Sequence, residues 1–172
     1  MTDKETIHGK YEYEYLGEEK QPFRKIYVIG SLRNDSIPDV AQEIRDAFPG
    51  VEVFDDWFAA GPEADDYWKR YEQEKGNSRL EALRGHAARN VFEFDKRHLD
   101  EATDVVLVMP AGKSGHLELG YSSGCGKNTY ILYPPTVDTD RYDVMHLFAE
   151  HLVPSVPALL HALSGSNEYA LR

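Results

Sequence analysis

Apolar residues in this chain fall into short blocks of two kinds, unbroken runs of four or five and longer stretches with helical spacing, and the two kinds alternate. Lys25–Ile29 (KIYVI) is an apolar run ended by Gly30, the pattern of a strand buried on both faces that feeds a loop. Ser36, Ile37 and Pro38 then open a helix with Val40, Ala41, Ile44, Ala47 and Phe48 on one side, closed by Pro49 and Gly50. Residues 51–54 read as a second strand running into Asp55, Asp56 and Trp57 and a loop with Gly61 and Pro62. The stretch 63–75 is strongly charged with Tyr67, Trp68 and Tyr71 interspersed, which predicts a helical flap ended by Gly76. Over 79–102, Leu80, Leu83, Ala87, Val91, Phe94, Leu99 and Ala102 recur at helical spacing and predict one long helix with that face inward. A strand over 105–109, a helix carrying Glu118, a strand over 129–132 and closing helices over 142–152 and 156–163 complete the series.

Strands alternating with helices predict an α/β fold. The expected architecture is one domain, a flavodoxin-like or Rossmann-like parallel sheet of about five strands with helices on both faces. At 172 residues the chain needs no second domain, and no internal repeat is present. Residues 1–22 hold charges and tyrosines but little aliphatic content, so a mobile arm is expected there, with the domain over 23–172. Tyr11, Tyr13 and Tyr15 of that arm are candidates for packing on a partner subunit.

Composition removes several classes of function. Nineteen Lys and Arg against 30 Asp and Glu leave a net charge of -11, which disfavours long nucleic acid or an anionic membrane surface as partner. Cys125 is the only cysteine, so an intrachain disulfide is impossible and a cytoplasmic location is expected. No apolar stretch approaches the roughly 18 residues of a membrane span. The histidines show no metal-ligand spacing, and neither a metal nor a cofactor is expected.

In a parallel sheet of this kind ligands bind outside the carboxyl ends of the strands. Three loops should meet there: 30–34, 55–61 and 110–116. Gly30, Ser31 and Arg33 supply N–H, hydroxyl and guanidinium donors suited to a phosphate or carboxylate, although Arg33 also fits a solvent-facing arginine on a turn. Gly112, Lys113, Ser114 and Gly115 have the composition of an anion nest at a helix N-terminus, without Walker A spacing. Asp95, on the inward edge of its helix, and Glu118, at a strand mouth, could face one ligand as the paired carboxylates of glycoside chemistry. Two plainer readings stand beside that one: Asp95 as a salt-bridge partner of Lys96, Arg97 or Arg89, and Glu118 as a carboxylate favoured near a helix start.

Taken together, YVIGSLRN at 27–34, FEFDKRHLDEATDVVLV at 92–108 and SGHLELGYSSGCGK at 114–127 resemble the nucleoside 2-deoxyribosyltransferase superfamily. That superfamily includes 2'-deoxynucleoside 5'-phosphate N-hydrolases and cytidylate N-glycosidases, and the resemblance spans roughly residues 25–150. It implies that Glu118 is the nucleophile on C1' of the sugar, that Asp95 positions or protonates the substrate, and that Tyr27 belongs to the same site. Gly112 stands where the nucleoside transferases tend to carry an Asp for the sugar 5'-hydroxyl. Together with GSLR at 30–33, this departure points to a 5'-phosphate contacted by Gly30, Ser31, Arg33, Gly112 and Ser114. Asp143 and Met145 have the spacing of an Asn-x-Met contribution from a neighbouring subunit, which implies a homodimer or larger assembly. Asp56 and Trp57 would help form the base pocket, with Trp57 and Trp68 as candidates for stacking on the base.

The expected activity is release of the base from a nucleoside 5'-monophosphate by a Glu118 nucleophile, without a cofactor and with a small nucleoside or nucleotide as substrate. The alternatives are base exchange between nucleosides, as in the transferases, and a nucleotide-binding sensor without turnover.

Overall fold

The computed structural model describes residues 23–135 and 143–171. The strand the sequence marks first is an interior strand of its sheet. Every residue of β1 (Lys25–Ile29) is buried, because the strand lies inside the sheet with helices over both faces. Its alternate residues serve different cores: Ile26 and Val28 pack on one side, Tyr27 and Ile29 on the other. The sheet has the order β2-β1-β3-β4-β5, with β2 (Glu52–Phe54), β3 (Asp104–Val108), β4 (Asn128–Leu132) and β5 (His151–Val153). Every neighbouring pair is parallel. The fold is therefore the single α/β domain with a five-stranded parallel sheet that the alternation of elements predicts.

Helix α1 (Ile37–Ala47) buries Ile37, Val40, Ala41 and Ile44 against the first face, together with α6 (Val156–Leu163), which contributes Ala158, Leu159, Ala162 and Leu163. The charged segment after β2 forms a short 3-10 turn, Asp56–Ala60, followed by α2 (Ala64–Glu74), the expected flap helix. The second face of the sheet is covered by α4 (His86–Glu101) and α5 (Lys113–Gly124). At Gly115 an added Cβ would lie 2.9 Å from Ile29 Cγ2 and 3.0 Å from Leu107 Cδ1, so the absence of a side chain lets the first turn of α5 rest directly on the sheet.

Three expectations are corrected. The stretch 79–102 is not one helix: it breaks at Gly85 into α3 (Arg79–Arg84) and α4, with Ser78 capping α3 through a reciprocal bond with Glu81. Its apolar stripe does not all turn inward. Leu99 and Ala102 are buried, but Leu80, Leu83 and Val91 are more than 60% exposed. The part of 142–152 that is described is not a helix either. Val144–Phe148 is a 3-10 turn, and β5 follows it as the edge strand of the sheet. The proposed N-terminal arm and its tyrosines at 11, 13 and 15 lie outside the described residues.

Two polar clusters fix the amino-terminal ends of the central strands. Lys25, only 1% exposed, places its Nζ 2.9 Å from Glu52, 2.8 Å from Glu101 and 2.8 Å from His98 Nδ1. Asp104, equally buried, accepts from Arg24 Nε at 3.0 Å and Nη2 at 2.9 Å, and from the Thr103 hydroxyl at 2.7 Å.

Candidate active site

The strand order reverses between β1 and β3, since the chain leaves β1 toward β2 on one side and returns to β3 on the other. Loops leaving adjacent strands in opposite directions open a crevice at their carboxyl ends. Here the crevice is bounded by the loop after β1 and by the segment joining β3 to α5. Asn34 ties the two together. Its side-chain N–H groups approach the carbonyls of Val108 and Pro110 at 3.4 and 3.5 Å, while its Oδ1 accepts from the Ser36 hydroxyl at 2.7 Å. Gly30 sits closely against α1 at the bend, where a Cβ would lie 2.3 Å from Ile37 Cδ1 and force that side chain to shift.

Three of the residues singled out in the sequence come together on the α4–α5 side of the sheet. Tyr27 faces that side through strand alternation, Asp95 comes from α4, and Glu118 comes from the second turn of α5. Their charges interact. Burial, and after it the negative charge of Asp95, pushes the Glu118 carboxyl from 4.5 up to about 7. Burial pushes Asp95 from 3.8 up to about 6. The Tyr27 hydroxyl is driven well above its ordinary value by burial and then by both carboxylates. Two acids raised together in one partly buried place hold protons into the neutral range, which is the electrostatic condition for acid–base work at a sugar. The salt-bridge reading of Asp95 is not met: among the described residues it pairs with none of Lys96, Arg97 and Arg89, Lys96 Nζ lying 2.6 Å from Asp100 and the Arg97 guanidinium over the Phe94 ring.

Replacing Asp95 by Asn removes the charge that opposes ionisation of Glu118. In that variant Glu118 is expected to titrate below about 7, between its present and ordinary values, in a carboxyl-resolved NMR titration. An unchanged midpoint would assign the whole elevation to burial and separate the two acids.

The candidate phosphate residues are less completely assembled. The Ser31 hydroxyl accepts from the Arg33 backbone N–H at 3.2 Å, which shapes the loop. Arg33 points into solvent and pairs with Asp66 of α2 at 2.5 Å. Gly112 caps α5, and Ser114 is exposed in its first turn. Asp56 is exposed at the start of its 3-10 turn. Trp57 is partly buried against both cores, and its indole N–H donates to the Val28 carbonyl at 2.8 Å, which fixes the ring at the end of β1. Trp68 lies on α2, the flap helix. Asp143 accepts from the Met145 backbone N–H at 2.8 Å and caps its own turn, while Met145 is exposed. Among the described residues, no cluster of three or more His, Cys, Asp or Glu side chains could hold a metal ion, and no helix is long and apolar enough to cross a membrane.

One polar chain beside the site has no counterpart in the sequence pattern. His116 Nδ1 lies 2.7 Å from the Gly112 carbonyl, His116 and His146 face each other through their Nε2 atoms at 3.0 Å, and the Tyr133 hydroxyl bonds His146 Nδ1. A carbonyl can only accept, so His116 Nδ1 carries hydrogen. In neutral His116 the Nε2 atom then accepts from His146 Nε2–H, leaving His146 Nδ1 to accept from Tyr133. The backbone N–H of Asp143, 3.4 Å from the same Nδ1, requires that direction too. Burial, and after it His116, lowers the proton affinity of His146 and favours the neutral relay. The relay anchors the N-cap of the helix that carries Glu118. Thirty residues separate the two histidines, and no local spacing signals their contact.

Against solved structures, the chain matches a conserved protein from Enterococcus faecalis V583 with a TM-score of 0.51 and 13% identity, over 83% of this chain and 98% of that one. The two share a fold. A CMP N-glycosidase from Clostridium botulinum aligns with a TM-score of 0.47 and 11% identity, over 82% of this chain and 99% of that one. No family model and no curated protein matches the sequence.

Proposed function

We propose that this protein cleaves the N-glycosidic bond of a nucleoside 5'-monophosphate, with Glu118 as nucleophile. The observation that carries the reading is the placement of Tyr27, Asp95 and Glu118 on the α4–α5 side of the sheet, close enough that Asp95 raises the Glu118 carboxyl and both acids raise the Tyr27 hydroxyl. In the reactive form the proton that the pair retains sits on Asp95, so that the Glu118 carboxylate attacks C1' and the C1'–N bond breaks with its electron pair passing to the base. Asp95 donates a proton to the departing base. Its carboxylate then takes a proton from water, whose oxygen attacks C1' and releases Glu118 from the ester. Tyr27 lines the site beneath the two acids. Gly30, Ser31, Arg33, Gly112 and Ser114 are the proposed phosphate contacts, and Asp56 and Trp57 border the base. No cofactor enters these steps.

The test is a screen of nucleosides and their 5'-monophosphates for free base, with wild type, Glu118→Gln and Asp95→Asn in parallel. Base release from monophosphates, lost with Glu118→Gln and strongly reduced with Asp95→Asn, is the expected result. Unchanged turnover in the Glu118 variant would remove that residue from the mechanism.

Base exchange is the second reading, favoured by the pairing of Arg33 with Asp66, which leaves that guanidinium occupied and suits a substrate without phosphate. It predicts an exchanged nucleoside when a deoxynucleoside is incubated with a second free base.

The same reading includes a second copy of the chain. Leu80, Leu83, Val91 and Phe94 expose apolar area on α3 and α4 in the position the sequence assigns to a buried face, and Met145 is exposed beside Asp143. Covering by another subunit resolves that conflict. Sedimentation at micromolar concentration is expected to give a dimer or larger. A monomer would remove Asp143 and Met145 from any neighbouring site.

A further inference from the structure

Arg33 is the guanidinium of the loop after β1, and it already holds an anion. Asp66, in the first turn of α2, places Oδ2 2.5 Å from Arg33 Nη2, while its Oδ1 lies 3.8 Å from Lys69 Nζ. A carboxylate set between an arginine and a lysine has the chemistry of an anion in its own site: one oxygen on the guanidinium and the other turned toward a second cation. The two elements involved are far apart in sequence, and α2 belongs to the long segment between β2 and α3, so the contact is a product of the fold. Both Arg33 and Asp66 are more than half exposed, and ion pairs this open are weak and exchange readily. A phosphate dianion brings more charge and more acceptor oxygens than the carboxylate it would displace.

We infer that Asp66 is a specificity-determining residue, an internal competitor that occupies Arg33 and must release it before a substrate's 5'-phosphate can bind there. The inference rests on the assignment of Arg33 to phosphate made above. Asp66 then disfavours phosphorylated substrates in two ways: it neutralises the guanidinium, and its own charge repels the incoming dianion. An unphosphorylated nucleoside meets neither obstacle. The balance between monophosphate and nucleoside is therefore set from the flap helix, away from the two reacting carboxylates.

The test measures binding of inorganic phosphate by titration calorimetry to wild type, Asp66→Asn, Arg33→Gln and the double variant, all in the full chain. Asp66→Asn is expected to bind phosphate about three- to fivefold more tightly than wild type, the size an exposed ion pair can withhold. In the Arg33→Gln background the same substitution should give no gain. Kinetically, the ratio of kcat/KM for a monophosphate to that for its nucleoside should rise by a similar factor in Asp66→Asn. Equal phosphate affinity in wild type and Asp66→Asn overturns the inference, as does an equal gain with and without Arg33, which would reduce the effect to net charge. Circular dichroism of each variant confirms that α2 is retained. Phosphate binding requires no base release, so loss of the glycosidase reading and loss of this competition would be seen separately.

Discussion

Glu118→Gln should lower base release by about three orders of magnitude or more, the usual scale for loss of a nucleophile, and make the folded protein more stable above neutral pH. The two effects have one cause. Folding moves the Glu118 carboxyl from 4.5 to about 7, so the folded chain binds that proton more tightly than the unfolded chain does. The resulting stabilisation is complete below about 4.5 and is lost as pH rises through about 7. Above that range wild type must keep a charge where burial and Asp95 disfavour one. Glutamine never ionises. Its advantage should reach about 3 kcal/mol at pH 8 and vanish toward pH 4.5. Urea denaturation of both proteins at pH 5 and pH 8 measures it. A difference of the same size at both pH values would point to a packing change instead of relief of charge.

Asp104→Ala is expected to cost about 2–3 kcal/mol, less than for a fully buried pair because Arg24, 31% exposed, recovers part of its hydration. The carboxylate is 1% exposed and receives two bonds from Arg24, one from Thr103, one from Asn128 at 3.2 Å and one from Tyr130 at 3.4 Å. Burial alone would push its carboxyl up, but the bonds and charge of Arg24, with Thr103 and Asn128, hold it below 3.8. That contribution is present above pH 3.8 and is lost as pH falls through the lower folded value. The gap between wild type and Asp104→Ala should therefore narrow in strong acid. A loss under 1 kcal/mol at pH 7 would mean that Arg24 finds water easily once its partner is gone.

The central strands were legible because burial on both faces writes itself as an unbroken apolar run, seen at 25–29 and 105–108. Helices α1 and α6 were legible for a different reason, a single apolar side bounded by Pro and Gly or Ser. The fifth strand was not. His151–Val153 has three residues at the sheet edge and follows a 3-10 turn whose apolar residues imitate a helical repeat. The break at Gly85 was hidden because α3 and α4 continue nearly one period across it. In the candidate site, the pairing of Asp95 with Glu118 was legible from helical phase and the rule that places ligands at strand ends, whereas Tyr27 entered only through the motif resemblance. The contacts of Arg33 with Asp66 and of His116 with His146 were not legible, since each joins residues about thirty positions apart that no local pattern links.

The ion cluster around Lys25 has an effect at the opposite end of its strand. Because Ile26, Tyr27, Val28 and Ile29 are all buried, hydrophobicity alone would barely penalise sliding this segment by one position. Such a slip would turn Tyr27 away from the two acids and put an aliphatic side chain in its place. Lys25 cannot slip without losing Glu52 on one neighbour and Glu101 on another. An amine at the foot of the sheet thus sets the phase of the strand and keeps the phenol, two residues further on and on the same face, turned toward the two acids.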